Sequence, residues 1–433
     1  MTMKKTFLFF TLLLLASVIC SSSCSYHNDD NPNEYPDPQP EPEPEPEPGP
    51  DINQKYLEAA YTSNCFMVKP GQSVDIPILK AFAMWNLYAE WLGETDLMGL
   101  TPEPVLLWQD LPGLITNVGL IPGQQAEEGS IAVSTADKVG NALIGLRIGG
   151  EIRWSWHIWV TRYDPDAELV AYGKIYTWDN NGDGVVDYTF MDRNLGALET
   201  DYTLPASRGL YYQWGRKDPF PYPATATDAY IQAPTVYAAG FEYAESDPRT
   251  SGTESPYDVM TLEWATAHPT TYMDGVSFED WEEWASSLDW LCDHHPNLWG
   301  NVTTGKNNIS RTSHKSIYDP CPPGWKVPGA EDFAGIERIG VSAPYYVTIR
   351  CNGTQTAKIP LGGTFYEGRY DRNGSLGRLY TNAPYYLHWR DSTGVFHDVA
   401  CTSILFDTSN YPPFVNTTDF YRYAANPVRC IRE

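Results

Sequence analysis

The stretch DPCPPGWKVPG, Asp319 to Gly329, is where this chain is easiest to understand. Pro322 and Pro323 fix φ and remove two backbone donors, so the chain around Trp325 must turn rigidly and cannot be helical. Pro328 closes the corner. The following GAEDFAGIERIG, residues 329–340, predicts a short helix. Its apolar residues Phe333, Ile336 and Ile339 recur every third position and would form one buried stripe. A cysteine, a tryptophan and a helix entry so close together make a compact anchor on which other elements can pack.

Upstream, residues 56–165 carry β signals. Short apolar runs at Cys65–Val68, Val74–Leu79, Val105–Gln109, Ile131–Ser134, Ala142–Ile148 and Ile152–Thr161 are separated by Gly and Pro turns. That spacing predicts an immunoglobulin-like β-sandwich. In the final run Ile152, Trp154, Trp156, Ile158 and Val160 share one face, and Arg153, Ser155, His157, Trp159 and Thr161 share the other. The first set reads as core and Trp159 as a contact with the rest of the chain. His157 reads as a structural hydrogen-bonding residue. Ala81 to Leu100 breaks the alternation and reads as a helical or loop insertion.

Further on, KIYTW and VVDYTFM flank DNNGDG, Asp179 to Gly184, which reads as a hairpin. The loop also places oxygen ligands at alternate positions: Asp179, Asn181, Asp183, the Val185 carbonyl and Asp187. Calcium takes six to eight hard oxygens, so a shortened calcium loop is the second reading. The usual acidic twelfth position is Phe190. Residues 220–317 read as a long insertion, with one helix from Phe278 to Leu291 that puts Phe278, Trp281, Trp284, Leu288 and Leu291 on one face. Asp293, His294, His295 and His314 make a poor zinc set, because adjacent histidines point apart.

Several motifs, taken together, carry a resemblance. The corner fits "CP-x-GW-x-x-P". YTFMDRNLGA (188–197), GLYYQWGRKDPFP (209–221), IPLGGTFYEG (359–368), GRLYTNAPYY (377–386) and NPVRCIRE (426–433) follow in order. The set resembles the Fibrobacter succinogenes major paralogous domain, over residues 166–433 with the insertion at about 220–317. The resemblance implies a C-type-lectin-like fold with long loops and a bacterial surface protein, and it supplies no ligand. Six cysteines follow the first 24 residues, which leaves fifteen pairings open. The resemblance implies a nested scheme, Cys321 with Cys430 and Cys351 with Cys401. Overall the fold class is mostly β, with an α+β C-terminal part.

At the start, Lys4 and Lys5 precede an apolar run from Phe7 to Ile19, which reads as a secretion signal. Residues 1–24 form a lipoprotein signal in this reading, with Cys24 as the lipidated residue after three serines. Residues 25–55 are an acidic linker whose Glu-Pro alternation holds extended polyproline geometry. The polar, acidic residues after Cys24 resemble the export signals of Bacteroidetes surface lipoproteins. They imply a cell-surface protein of the outer membrane.

Composition narrows the function. Hydrophobic residues make up 42% of the chain and aromatics 14%, enough for real cores, and the net charge is −26. Such a field repels nucleic acid and anionic headgroups. No nucleophile elbow, metalloprotease motif, phosphate loop or dinucleotide fingerprint is present. GGTFYEG echoes the formylglycine-generating oxidases, yet Cys401 and Cys430 lack that family's surrounding motif, so no enzyme is expected. The expectation is a non-catalytic binding protein or adhesin for a host or dietary glycan or protein. A fimbrial tip or accessory subunit and a glycan-capture component for nutrient uptake are the alternatives. Candidate contacts are Tyr212, Trp214, Arg369, Tyr386 and Trp389, where aromatics mix with arginine as at binding hot spots. Tyr212 and Trp214 have a second reading, as core.

Overall fold

The computed structural model describes residues 54–167, 174–179, 181–220, 222, 230–232, 242–244, 261–273, 289–291, 295–300, 315–352, 355–366, 369–385, 389–390, 396–397, 400–408 and 416–433. The leader, Cys24, the linker before residue 54 and most of the helix expected at Phe278–Leu291 lie outside the described residues. The described chain is mostly β, with few and short helices.

Helix α1 (Gln54–Ala60) is followed by β1 (Cys65–Val68), β2 (Ser73–Pro77), helices α2 (Leu79–Leu87) and α3 (Ala89–Leu92), β3 (Pro102–Gln109), β4 (Ile115–Ile121), β5 (Ser130–Thr135), β6 (Gly140–Ile148) and β7 (Glu151–Val160). One sheet has the order β1-β7-β6-β3 and the other β2-β5-β4. β1 runs parallel to β7, pairing Cys65 with His157 and Val68 with Val160; the remaining pairings are antiparallel. The interruption after β2 is helical: Ala81, Phe82, Ala83, Met84 and Trp85 are buried. β4 has no counterpart among the expected strands, because Asn117 and Gly119 dilute its apolar pattern.

The alternation in β7 is real, but both faces are buried. Trp154, Trp156, Ile158 and Val160 join one core with residues of α2, β5 and β6. Trp159 joins a second core with Trp108 and Leu143 on one side and Leu195, Tyr212, Trp214, Trp325 and Val428 on the other. The boundary expected near residue 165 therefore does not divide two cores. Ile52 to Glu433 form one compact unit.

The anchor corner is organised by Asp319. Its carboxylate accepts from Cys321 N at 2.8 Å and Val327 N at 2.9 Å, and from Lys315 Nζ at 3.2 Å. Asn64 ties the first half to it, donating to Ile317 O at 2.8 Å and Asp319 O at 2.9 Å, while Ser63 donates to Cys321 O at 3.0 Å. Trp325–Lys326 pairs with Ile431–Arg432, which pairs in turn with β9 (Tyr188–Met191), and β9 with β8 (Ile175–Trp178). Cys321 and Cys430 form a disulfide.

Two expectations are corrected. Cys401 is a free, buried thiol that donates to Phe420 O at 3.3 Å, so the Cys351–Cys401 pair is not formed. Nor does a helix run through residues 329–340. A single 3-10 turn at Glu331–Phe333 gives way to a strand at Glu337–Ser342. Phe333 and Ile336 are buried, but Ile339 is 42% exposed. A three-residue apolar spacing is met by one tight turn followed by a strand as well as by a helix.

The family-like motifs interlock through close backbone approach. Tyr211 Oη donates to Gly362 O at 2.8 Å. A Cβ on Gly362 would lie 2.2 Å from that hydroxyl, and one on Gly363, at φ +73°, would lie 2.2 Å from Asp371 O. At Gly363, where the neighbour is backbone and φ is left-handed, only glycine fits, whereas a side chain at Gly362 would displace the Tyr211 hydroxyl from its carbonyl.

The core is also threaded with cations. Lys80, Arg153, Arg193, Arg208, Arg216, Lys217, Arg378, Arg422 and Arg429 are all buried. Several lie over aromatic rings: Lys217 is 4.6 Å and Lys80 5.5 Å from the Trp154 ring, Arg422 4.6 Å from Trp214 and Arg153 4.2 Å from Trp85. Ring faces and backbone carbonyls substitute for lost water. Burial, reinforced by Lys217 and Lys315, holds the Lys80 amine well below its usual range, with Asp319 opposing.

Candidate functional site

Two of the expected contact residues are sealed in the core. Tyr212 and Trp214 are at most 1% exposed. Trp214 Nε1 donates to Thr381 O at 2.8 Å, and its own carbonyl accepts from Trp290 Nε1 at 2.8 Å. Both belong to the core and neither can reach a ligand, which corrects their assignment as binding residues. Arg369 is half-buried in a short strand, Arg369–Asp371. Tyr386 and the side chain of Trp389 lie outside the described residues.

The 179–187 loop is shaped by its own side chains. Asp179 accepts from Gly182 N and Gly184 N, both at 2.8 Å. Asn181 Oδ1 accepts from Asp183 N at 3.0 Å, and Asp183 Oδ1 from Val185 N at 2.8 Å. These are Asx turns, which build a loop from short polar side chains without a cation. Among the described residues no cluster of three or more His, Cys, Asp or Glu side chains could hold a metal ion. Asp187 lies beyond the turns, and Val185 is 64% exposed.

A different place gathers chemistry. Where β7 runs out and the C-terminal half begins lies a cleft of about 630 Å³. From the first half it takes Val139, Thr161, Arg162 and Tyr163, and from the second Lys174, Tyr176, Asp192, Arg193, Tyr202, Thr356 and Lys358, with Leu198, Glu199 and Thr200. The floor is a buried ion pair: Arg193 Nε meets Asp192 Oδ1 at 2.7 Å, and its guanidinium lies 4.0 Å from the Tyr163 ring. Two of the tyrosine hydroxyls are anchored inward. Tyr163 Oη donates to Lys174 O at 2.9 Å and Tyr202 Oη to Asp192 O at 2.6 Å. Burial pushes both phenols up, with Arg193 and Arg429 pulling back.

The rim is basic. Lys174 Nζ is 5.3 Å from the Tyr176 ring, and Lys358 Nζ is 4.2 Å from Tyr346 and 5.7 Å from Tyr202. Arg162 pairs with the exposed Asp137 at 3.1 Å. Among the described residues neither Lys174 nor Lys358 forms an ion pair. With the Arg193–Asp192 and Arg162–Asp137 pairs set aside, Lys174 and Lys358 remain in the lining against Glu199. In a chain of charge −26 this is a local inversion of sign. A smaller hollow of about 260 Å³ shares Thr161 and Tyr163 and is walled by Phe66, Pro322, Pro323 and Trp325 of the anchor corner.

Residues 162, 174, 202 and 358 carry no motif and are far apart in sequence. Asp192 and Arg193 do fall within YTFMDRNLGA, but the motif does not tell a ligand contact from a core residue. The one usable signal is scarcity: the chain has 29 Lys and Arg against 55 Asp and Glu, so a cluster of exposed cations is unusual.

One buried constellation resembles a nucleophile. Cys65 Sγ is 3.3 Å from His157 Nδ1, and His157 Nε2 is 3.0 Å from Asn141 Oδ1. Asn141 Nδ2 donates to Asp110 Oδ2 at 2.9 Å and Gly196 O at 3.0 Å. Its Oδ1 must therefore accept, which puts the His157 proton on Nε2 and leaves Nδ1 to accept from Cys65 or from Tyr212 Oη at 3.5 Å. Burial pushes the thiol up and the imidazole down to about 3. Thiolate and imidazolium are both disfavoured, and Cys65, His157 and Asn141 are at most 1% exposed. This is the reverse of an activated cysteine, and its role is to join two halves of the fold.

No protein-family model, curated protein or solved structure matches this chain, so its own side chains are the guide to its chemistry.

Proposed function

We propose that this chain is a cell-surface lipoprotein acting as a non-catalytic binding protein or adhesin, and that the cleft between its two halves is the binding site. The carrying observation is the gathering of Arg162, Lys174, Lys358, Tyr163, Tyr176 and Tyr202 around one concavity in an acidic protein. Clefts between packed halves, with a few placed polar groups on aromatic walls, are where small ligands bind. The sheet orders β1-β7-β6-β3 and β2-β5-β4 support an immunoglobulin-like sandwich for residues 56–165. The Trp325 corner, bridged by its disulfide beside the Ile431–Arg432 strand, supports the C-type-lectin-like reading of residues 166–433. Lipidation at Cys24 and an outer-membrane location rest on the sequence.

Against the fimbrial alternative, Lys55 is the first basic residue after the leader and would be the cleavage point. It sits inside α1 and pairs with Glu128 at 3.1 Å, which disfavours an easily cut site. The deciding experiment is binding of the full chain, in detergent, to panels of glycans and matrix proteins, with calcium and with chelator. Saturable binding weakened by Lys358→Gln supports this reading. Absence of any binding, with the chain found in sheared surface filaments, overturns it in favour of the fimbrial one.

A further inference from the structure

Resting on the reading of the cleft as the binding site, we propose that it holds its ligand through an oxyanion, a carboxylate or a phosphate, drawn by Lys174, Lys358 and the buried Arg429. Arg429 is 2% exposed. Its Nε donates to Asn194 Oδ1 at 3.0 Å, an uncharged acceptor. Nη1 and Nη2 are buried and have no hydrogen-bond partner among the described residues. Asn194 directly follows Arg193 of the cleft floor. The charge also reaches the two anchored tyrosines: burial pushes the Tyr163 and Tyr202 phenols up, and Arg429 opposes it. A guanidinium keeps its proton at physiological pH, so it cannot relieve its burial by becoming neutral. A buried charge calls for an opposite one.

The neighbouring carboxylates are otherwise engaged or exposed. Asp192 is held twice by Arg193, Nε to Oδ1 at 2.7 Å and Nη2 to Oδ2 at 3.2 Å. Asp201 accepts from Thr203 N at 3.0 Å and from Thr203 Oγ1 at 2.7 Å. Asp201 and Glu199 are both exposed, so water and salt screen them. Lys174 and Lys358 line the cleft from separate segments. Arg429 acts from inside the protein, where a charge is felt more strongly than at the surface. Two ammonium groups on separate segments are best met by a group that offers several acceptors at once. Carboxylate and phosphate do so, and their hydrogen bonds to charged donors are the strong kind. A halide offers one centre, and an uncharged ligand leaves the positive charge unanswered. The cleft of about 630 Å³ leaves room for the body of a ligand that carries the oxyanion.

The test is calorimetric titration of the full chain, in detergent, with three probes built on one ring: phenyl phosphate, benzoate and the uncharged benzyl alcohol. At least one anion should bind saturably and about tenfold or more tighter than benzyl alcohol. The ratio of the two anions tells phosphate from carboxylate. Replacing both lysines, Lys174→Gln with Lys358→Gln, should weaken the preferred anion about tenfold. The melting temperature should be unchanged, since Lys174 is exposed and Lys358 half-exposed. Arg429→Gln should weaken the anion too; if that variant does not fold, the lysine pair decides. Undiminished anion binding by the lysine variant, or by a folded Arg429→Gln, overturns the proposal, and so does equal binding of benzyl alcohol. If no probe binds while the chain still captures a glycan or matrix protein from the panels, the oxyanion fails and the binding-protein reading stands. If neither probes nor panels bind, that reading falls with it.

Discussion

The Cys65 thiol and the His157 imidazole, 92 positions apart in sequence, meet at 3.3 Å across the parallel pairing of β1 with β7. They sit at one end of a chain that passes through Asn141 to Asp110. Both ends of that chain titrate away from their ordinary values, with opposite sign.

Unfolded, His157 takes its proton near pH 6.5; folded, burial delays this to about 3. Its contribution to stability is therefore lost as pH falls from about 6.5 towards 3. Burial pushes the Asp110 carboxyl up from 3.8 to about 6, opposed by its bonds from Asn141, so its contribution is lost as pH rises through that range. Between pH 4 and 6 the two slopes cancel. Asp110→Asn should expose the His157 slope, a loss of about 1 kcal/mol for each pH unit downward. Urea unfolding of both forms at pH 4, 5 and 6 checks this, and a variant as flat as the parent refutes it.

Reducing the Cys321–Cys430 bridge, or replacing both cysteines by serine, should cost about 3–5 kcal/mol. The bridge closes a loop with a sequence separation of 109, and long loops release the most entropy when opened. Native protein should resist alkylation at Cys65 and Cys401, which are buried. Mass spectrometry after thiol labelling, with and without reductant, gives both answers.

Asp289 and Arg422 form a buried pair at 2.8 Å, with the guanidinium also donating to Ala400 O at 2.9 Å. Asp289→Ala should destabilise by about 3–5 kcal/mol, because it strands a charge where water cannot reach. Pairing it with Arg422→Met should recover part of that loss. A double variant no better than the single one would mean that stacking on Trp214 outweighs the charge.

Asp179→Ala should cost about 0.5–1 kcal/mol in the presence of chelator, since two backbone N–H groups lose their acceptor. Melting curves with and without calcium complete the experiment. A calcium-induced rise in the parent that is absent in the variant would give the loop a cation as well as a turn.

The parts legible in the sequence are those with strict local rules. Period-two alternation located β7, and Gly-Asn-Asp chemistry located the β8–β9 hairpin. The corner at Pro322–Pro323 and the pairing of Cys321 with Cys430, which the family resemblance implies, are both present. Spacing failed where two elements satisfy it, as with Phe333, Ile336 and Ile339. Composition failed where burial decides: Tyr212 and Trp214 resemble a hot spot, yet tertiary packing seals them. The cleft was illegible because its cations share one lining only after the halves pack, Arg162 and Lys358 being nearly two hundred residues apart in sequence.

The strand Ile431–Arg432 bears on synthesis as well as on packing. It joins Trp325–Lys326 to β9, and Cys430 beside it closes the bridge. A ribosome that has made everything up to residue 425 has made nearly all the apolar surface of this half, but not the piece that locks it. The nascent C-terminal half must therefore stay open until Val428 to Arg432 emerge. A product that stops before Val428 lacks this strand and the Cys430 half of the bridge, and should be recognised as unfinished by proteases and holdases.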